Sequence, residues 1–456
     1  MFISLSIGSI MLLIQLLGCS SPNNIRDSDF SFEMSASLKE LLPESEFKEE
    51  MPVLDENAAL NDYLTYAALN NPGLKAGFYR WKSALERIPQ VTSLPDPYFT
   101  YAYFISKVFT GDNEDEQEFM IEQTFPWFGK LKLQGDRAFE QAEVERLRFE
   151  AAKYKLFFDL KKAYFEYYYL GQAIAITQEN VDILSYLEEV ARAQLEVATG
   201  TAMDVVKAQV ELGKLDNRLK ELRQMKEPLA AKLNKVLNLP FDTLLIVPPS
   251  IPDEHIDLTD PYLTEILRHE SPELKALDAR IREAEKNVEL AQKNYYPDIS
   301  VSLKYMDKDE YGDKEAMRDE ALAGITLNLP IWYKKYQAAE REAENKVAAF
   351  EHDRKMRENS LIADLKLAHF GFTDGERRIG FYRDTLIPIA EHSLMMTQEA
   401  YRLATGIFLD VIDAQRTLLE FNLAYQRALT DRAIKLAELE MLVGRRLPKV
   451  DKTVKK

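Results

Sequence analysis

Two hydrophobic periods alternate along this chain. Over 131–198 and 333–404, apolar residues recur every 3.5–3.6 positions among Ala, Glu, Lys, Arg and Leu, and Pro388 is the sole proline in either stretch. That spacing predicts two very long helices. A helix of about 68 residues would run ~100 Å, several times the width of an ordinary domain, so it needs neighbours along its length and implies coiled-coil packing. Gly171, Gly371, Gly375 and Gly380, with Pro388, mark positions for kinks or a broken middle. Shorter helical patterns over 57–88 and 260–294 come before, each ending ahead of a proline, Pro89 or Pro297.

Between the short and long helices the period falls to two. Ile299, Val301, Leu303 and Tyr305 alternate with Ser300, Ser302 and Lys304; Ala323, Ile325, Leu327 and Leu329 alternate with Gly324, Thr326 and Asn328. Phe119, Ile121, Gln123 and Phe125 alternate with Met120, Glu122 and Thr124, whereas "YFTYAYFI" at 98–105 is too aromatic for its two faces to be told apart. Polar tips, "TGDNEDE" at 110–116 and "DKDEYGDKEAMRDE" at 307–320, join the strands in pairs. Two-faced strands of this length suit either a soluble sandwich or an outer-membrane barrel, whose apolar face meets lipid and whose polar face lines water.

The elements come twice because the chain repeats itself. "NPGLKA" (71–76) answers "SPELKA" (271–276), and Pro95 in "LPDPYFTYAYF" answers Pro297 in "YPDISVSLKYM". Pro126 in "IEQTFPWFGKLKLQGDRA" answers Pro330 in "ITLNLPIWYKKYQAAERE", and "ATGTAMDVVKAQ" (198–209) answers "ATGIFLDVIDAQ" (404–415). Each half reads helix, strand, strand, very long helix, turn, helix. The expected organisation is a first repeat over 56–240, a Pro-rich linker over 241–262, a second repeat over 263–446 and a basic tail over 447–456.

The single cysteine changes the picture at the N-terminus. Met1–Gly18 is uncharged and apolar, and Leu16-Leu17-Gly18-Cys19 has the form of a lipobox. Residues 1–18 then read as a lipoprotein signal peptide, Cys19 as the acylated residue and 19–55 as an acidic, Ser-rich extension. Ser20, where an Asp would favour retention at the inner membrane, favours outer-membrane delivery, and no later stretch offers 18 uninterrupted apolar residues. With a lipid anchor and no other β structure, the barrel is the favoured reading of the strands. Four strands are too few to close one, so several copies must share it.

Composition narrows the chemistry further. The 456 residues are 46% hydrophobic and 29% charged, which suits a folded chain. A formal charge of −17 argues against a nucleic-acid partner. Five His and one Cys leave no disulfide framework and little for a Cys/His metal site. No nucleophile elbow, zinc-protease motif or phosphate loop is present, so no catalytic residue, metal or cofactor is expected.

Across roughly 56–446 these segments, in this order, resemble the TolC-like outer-membrane efflux protein family. The resemblance implies a homotrimer whose twelve shared strands form a transmembrane barrel above a periplasmic tunnel of helices. Cargo would arrive from an inner-membrane pump through a periplasmic adaptor. It also implies a location in the outer membrane of a Gram-negative bacterium. "FPWFGK" at 125–130 is similar to a segment of members serving heavy-metal pumps of the resistance-nodulation-division type. A second reading makes Trp127, Phe128 and Trp332 aromatics of the membrane interface.

Under this resemblance the repeated "ATG" segments lie at the hairpin tips farthest from the barrel, with Gly200 and Gly406 as left-handed turn residues and Asp204 and Asp410 opening the returning helices. Asp413 replaces Lys207, so "DVID" carries carboxylates at i and i+3 on one helix face, matching the family's acidic ring. Asp410 and Asp413 are therefore the expected periplasmic gate, closed nearby by apolar Leu403 and Phe408. Thr199, Gly200, Thr201, Asp204, Thr405, Gly406 and Ile407 are the expected adaptor contacts. His392, Met395 and Met396 read as packing or surface residues before metal ligands. The rivals are a periplasmic coiled-coil scaffold lipoprotein without a pore, and the exit duct of a type I secretion system.

Overall fold

The computed structural model describes residues 52–55, 58–103, 115–243, 245–252, 254, 256–308, 320–403 and 405–448. Cys19, most of the N-terminal extension and of both strand tips, and the tail beyond 448 lie outside the described residues. The order is α1 (Leu60–Asn70), α2 (Pro72–Leu85), α3 (Arg87–Thr92), β1 (Tyr98–Tyr103), β2 (Asp115–Phe125), α4 (Lys130–Glu196), α5 (Ala202–Gln224) and α6 (Lys226–Leu237). It continues with α7 (Asp260–Glu270), α8 (Pro272–Lys293), β3 (Ile299–Lys308), β4 (Glu320–Leu327), α9 (Tyr333–Phe381), a π-helical turn (Tyr382–Leu386), α10 (Ile387–Arg402) and α11 (Phe408–Val443).

The short helical stretches are segmented where the sequence reading had them continuous. Pro72 and Pro272 each start a new helix, because a residue before proline is pushed out of the helical region and proline suits the first turn. Asn71 caps the first of these, accepting from the Leu74 N–H at 3.1 Å. Pro89 does not stop the chain either. It sits in the first turn of α3, where its missing N–H costs nothing, and the helix runs on to Thr92.

The rods have the expected length. α4 holds 67 residues without interruption, about 100 Å at 1.5 Å per residue. The second rod breaks only at 382–386, just ahead of Pro388, which cannot donate to the preceding turn; a π-turn absorbs the lost hydrogen bond. Glycine does not carry the kinks. Gly171 lies inside unbroken α4, and a Cβ there would sit 2.2 Å from Val247 Cγ1. Gly375 likewise lets α9 approach α11, where a Cβ would meet Arg432 Cβ at 3.0 Å. These positions are small so that neighbouring backbones can come close.

The cores lie mainly along the rods. Around the middle of α4, Leu160, Tyr164, Phe165 and Tyr167 pack with Tyr63 and Leu64 of α1, Phe78 of α2, and Leu233 and Leu237 of α6. The linker is part of this belt, since the Tyr167 hydroxyl donates to the Leu245 carbonyl at 2.9 Å. A second cluster joins Leu263, Ile266 and Leu267 of α7 to Leu361, Leu365 and Phe372 of α9 and to Leu439 and Val443 of α11. Ile256 from the linker and Leu447 are buried in it, so the linker and the residues just after α11 thicken the rods.

At the end of the rods next to the start of α4, the strands form one antiparallel sheet in the order β1-β2-β3-β4. Tyr98 pairs with Glu122 in the first hairpin and Ser300 with Thr326 in the second. Shifting Tyr98 by the Pro95-to-Pro297 spacing gives residue 300, and shifting Glu122 by the Pro126-to-Pro330 spacing gives residue 326. The two hairpins therefore share one register.

Gly171→Val should lower the thermal midpoint of the helical circular-dichroism signal by an amount corresponding to about 1–3 kcal/mol of overpacking. Unchanged melting would show that α4 and the linker do not meet this closely.

Candidate functional site: a two-faced ribbon and paired hairpin tips

Register assigns every strand residue to a face, because residues directly opposite one another point the same way. One face takes Phe99, Tyr101 and Tyr103 of β1, Phe119, Ile121 and Phe125 of β2, Ile299, Val301, Leu303 and Tyr305 of β3, and Ala321, Ala323, Ile325 and Leu327 of β4, with Gln117, Gln123 and Asp307 among them. The other carries Glu118, Glu122, Thr124, Ser300, Ser302, Lys304 and Thr326, with Met120, Met306 and Leu322 among them. Lys304 pairs with Glu118 at 2.7 Å across β2 and β3, and the Thr124 and Ser300 hydroxyls share a hydrogen bond of 2.9 Å. The aromatic β1, which the sequence left unsorted, takes its sides from β2. The apolar face is not buried in a core: Phe99 is 70% exposed and Ile325 75%. A soluble sandwich would cover those residues.

Where strands become helices, Asp298 is the knot. Its Oδ1 accepts from the Trp127 N–H at 2.7 Å and from Lys130 Nζ at 2.8 Å. Lys130 is buried, so this ion pair is held tighter than a surface one. Trp127 stacks on Tyr296 with ring centroids 5.2 Å apart and planes within 11°. Of the three aromatics marked at this level, Phe128 and Trp332 are exposed and Trp127 is half-buried against that ring.

The tips at the other end explain why the chain repeats itself. The Thr199 N–H, Gly200 N–H and Thr199 Oγ1 all donate to the Gln194 carbonyl at 2.9, 3.0 and 3.2 Å. The Thr405 N–H, Gly406 N–H and Thr405 Oγ1 donate to the Ala400 carbonyl at 2.9, 3.0 and 3.1 Å. Together with the Ala198 N–H bonded to the Leu195 carbonyl, the first set is a Schellman-type helix stop.

The glycines play a different part from the one expected. The left-handed residue is Ala198, at φ 61°, two positions before Gly200. Gly200 and Gly406 are needed for room instead, since a Cβ on either would lie 2.9 Å from the Cβ of Gln194 or Ala400. Gln209 and Gln415, also repeated, tie the returning helices to α4 through Glu188 at 3.0 Å and Asn180 at 2.6 Å. The hydrogen bond from Arg192, then that from Gln209, holds the Glu188 carboxyl below its ordinary pKa.

The two helix starts then diverge. Asp204 is not an N-cap. Thr201 is the cap, its Oγ1 accepting from the Asp204 N–H at 3.3 Å while Asp204 Oδ2 accepts from the Thr201 N–H at 3.2 Å. This is a capping box. In the second tip Ile407 holds the cap position and cannot close such a box. Asp410 is exposed, and its carboxylate makes no hydrogen bond or ion pair among the described residues. Asp413, one turn on, pairs with Arg416 at 2.5 Å and stays half exposed. Thr199, Thr201, Thr405 and Ile407 are exposed, and Gly200, Asp204 and Gly406 half-buried.

Both tips share one core of Leu184, Leu187, Ala191, Ala208, Tyr401, Phe408, Val411 and Ile412. Phe408 is 1% exposed and packs its ring 5.1 Å from Tyr401. It therefore cannot supply the apolar closing contact expected of it, whereas Leu403 remains exposed. Burial, with nearby Asp204 adding to it, pushes the Tyr401 hydroxyl pKa up. Phe408's role was hidden because the cluster that buries it, besides Tyr401, Val411 and Ile412, draws on Leu184, Leu187 and Ala191 of α4, more than 200 positions away.

Residues 263–445 match the family model described as Outer membrane efflux protein. Toxin and drug export protein A of Aggregatibacter actinomycetemcomitans is 23% identical over 83% of this chain and 84% of its own. The cobalt-zinc-cadmium resistance protein CzcC of Cupriavidus metallidurans is 25% identical over 38% of this chain and 40% of its own. The structure of the outer-membrane channel OprN superposes with a TM-score of 0.73 at 17% identity, covering 85% of this chain and 90% of that one. Long rods bearing a small two-faced sheet are thus the architecture of an outer-membrane channel protein. The second half of the chain matches the outer-membrane efflux protein family, and the chain as a whole has the fold of its channels; the members of that family are channel components of tripartite efflux systems and not enzymes.

Ile407→Thr should complete the missing capping box around Asp410 and stabilise the start of α11 by about 1 kcal/mol. Amide exchange over 408–412 should slow. Exchange as fast as in the parent chain would mean that Asp410 cannot reach the cap.

Proposed function

We propose that the chain is the outer-membrane exit duct of a tripartite efflux pump. It acts as a homotrimer, lipid-anchored through Cys19, that receives cargo from an inner-membrane transporter through a periplasmic adaptor. The observation that carries this reading is the sheet, with one mainly apolar face and one mainly polar face, neither covered, and two open edges among the described residues. Hydrocarbon accepts such a ribbon only when its edges are paired. Three copies bring twelve strands with alternating directions, and the polar face then lines water. Phe128 and Trp332 stand at the strand–helix boundary, where interfacial aromatics belong. The two repeats, 56–240 and 263–446, then supply one helical hairpin each to a tunnel wall.

At the far end, three Asp410 and three Asp413 carboxylates would ring the closed mouth, attracting cations and resisting anions. Asp410 is the dominant member, because Arg416 partly neutralises Asp413. The exposed turns at Thr199–Thr201, with Asp204 behind them, and at Thr405–Ile407 are the surface offered to the adaptor. The relatives' names span toxins, drugs and metal ions, which fits a duct whose cargo is chosen upstream, by a pump of the resistance-nodulation-division type or another. Export of a polypeptide in a type I secretion system is the second reading, favoured by the toxin-exporting relative.

In planar bilayers, Asp410→Ala should raise closed-state conductance severalfold and relieve block by divalent cations, with Asp413→Ala weaker and the double variant strongest. Unaltered conductance and block in the double variant would remove the acidic gate. Cysteines at positions 201 and 407 should crosslink to the adaptor in cells. Adaptor crosslinks from strand positions alone would move its docking site away from the tips.

A further inference from the structure

The clamp at the base of the sheet occurs once within the chain, yet its parts are present twice. Asp298 follows Pro297 at the start of β3 and takes the Trp127 N–H and Lys130, which follow Pro126 at the end of β2. The corresponding residues of the other half are Asp96, after Pro95 at the start of β1, and Ile331 and Lys334, after Pro330 at the end of β4. β1 and β4 are the two edges of the sheet, so these parts stand at opposite margins of one copy and cannot meet inside it. Asp96 and Lys334 are both exposed, and their side chains have no polar partner among the described residues.

The Ile331 N–H is bonded to the Leu329 carbonyl at 2.9 Å within its own copy, so we propose that Asp96 of one copy takes Lys334 of the next, and that this second clamp sets the register at which β4 meets β1 of the neighbouring copy. The proposal rests on the shared-barrel reading above and gives it a definite seam. Carrying the β2–β3 pairing over by the two proline spacings places Leu327 opposite Phe99, Ile325 opposite Tyr101 and Thr326 opposite Thr100. This register keeps the two faces continuous across the seam, as the shared register of the two hairpins requires. Leu327, Ile325, Phe99 and Tyr101 all lie on the apolar face of their own copy, while Thr326 and Thr100 lie on the polar one. A shift of one residue would set apolar side chains against polar ones along the whole seam. Strand direction also agrees, since β1 and β4 run oppositely and the new pair is antiparallel like the rest.

The test is a charge exchange read by electrophoresis of the full chain, unheated and then heated in steps. Asp96→Lys and Lys334→Asp should each lower, by several degrees, the temperature at which the trimer band gives way to monomer. The combined exchange should restore it. Disulfide formation reads the register directly: Ile325→Cys with Tyr101→Cys, or Thr326→Cys with Thr100→Cys, should yield covalently linked oligomers. Displaced pairs, Ala323→Cys with Tyr101→Cys and Gly324→Cys with Thr100→Cys, should yield few, with the parent chain and its lone Cys19 as control. A parent trimer whose heat stability ignores both single exchanges, or displaced pairs that link better, would overturn the clamp while leaving the barrel standing. A parent chain that is monomeric in detergent would overturn both.

Discussion

A β-strand at the margin of a sheet presents a row of unpaired N–H and C=O groups, and in hydrocarbon each costs several kilocalories per mole. Among the described residues this sheet has two such margins, β1 and β4, and an apolar face that no helix covers. Either fact alone would be a liability for a protein in water. In the proposed duct both are answered at once, with lipid on one side, water on the other, and another copy at each edge. The rods would answer the same demand, because a barrel opening only into the outer membrane would need a duct to reach its cargo.

The helices solve a packing problem that length creates. A rod of 67 residues cannot be stabilised by propensity alone, since most helical stability in proteins comes from a packed face. Here α1, α2, α6 and the linker wrap its middle, and the close approaches at Gly171 and Gly375 let neighbouring segments lie against the rods. Toward the tip, the packing is carried by the shared cluster around Phe408 and by the amide ties of Gln209 and Gln415. What looks like an acidic, charged surface is thus stitched to the rods at intervals by a few buried side chains.

The rods, the strand pairs and the repeat were legible in the sequence because each leaves a local trace: a 3.6 or 2.0 period, or a proline that recurs in order. The faces of β1 were not, since "YFTYAY" is aromatic on both sides and only pairing with β2 separates Phe99 and Tyr101 from Tyr98 and Thr100. The tip was half legible. Its recurrence was plain, but a glycine at a helix end invites a left-handed assignment that belongs to Ala198, and an aspartate near a helix start invites a cap that belongs to Thr201. In both cases the sequence names the motif, and the hydrogen bonds decide which residue performs each part. Phe408 was misread for a different reason. Burial by partners distant in sequence leaves no periodic trace.

The small differences between the two tips now carry more meaning than their likeness. Backbone geometry is common to both, down to the three donors on one carbonyl, so it serves the shared task of reversing a long helix. Against that constant frame, Thr201 is answered by Ile407 and Lys207 by Asp413. The first exchange removes the cap that would occupy the Asp410 carboxylate, and the second adds a carboxylate one turn further along the same face. A tip selected only for stability would keep the box, because a missing cap costs about 1 kcal/mol. Giving up that stabilisation while concentrating negative charge, with Arg416 moderating it on one side, suits the ion-facing gate proposed above. On that proposal gating would fall on the second hairpin.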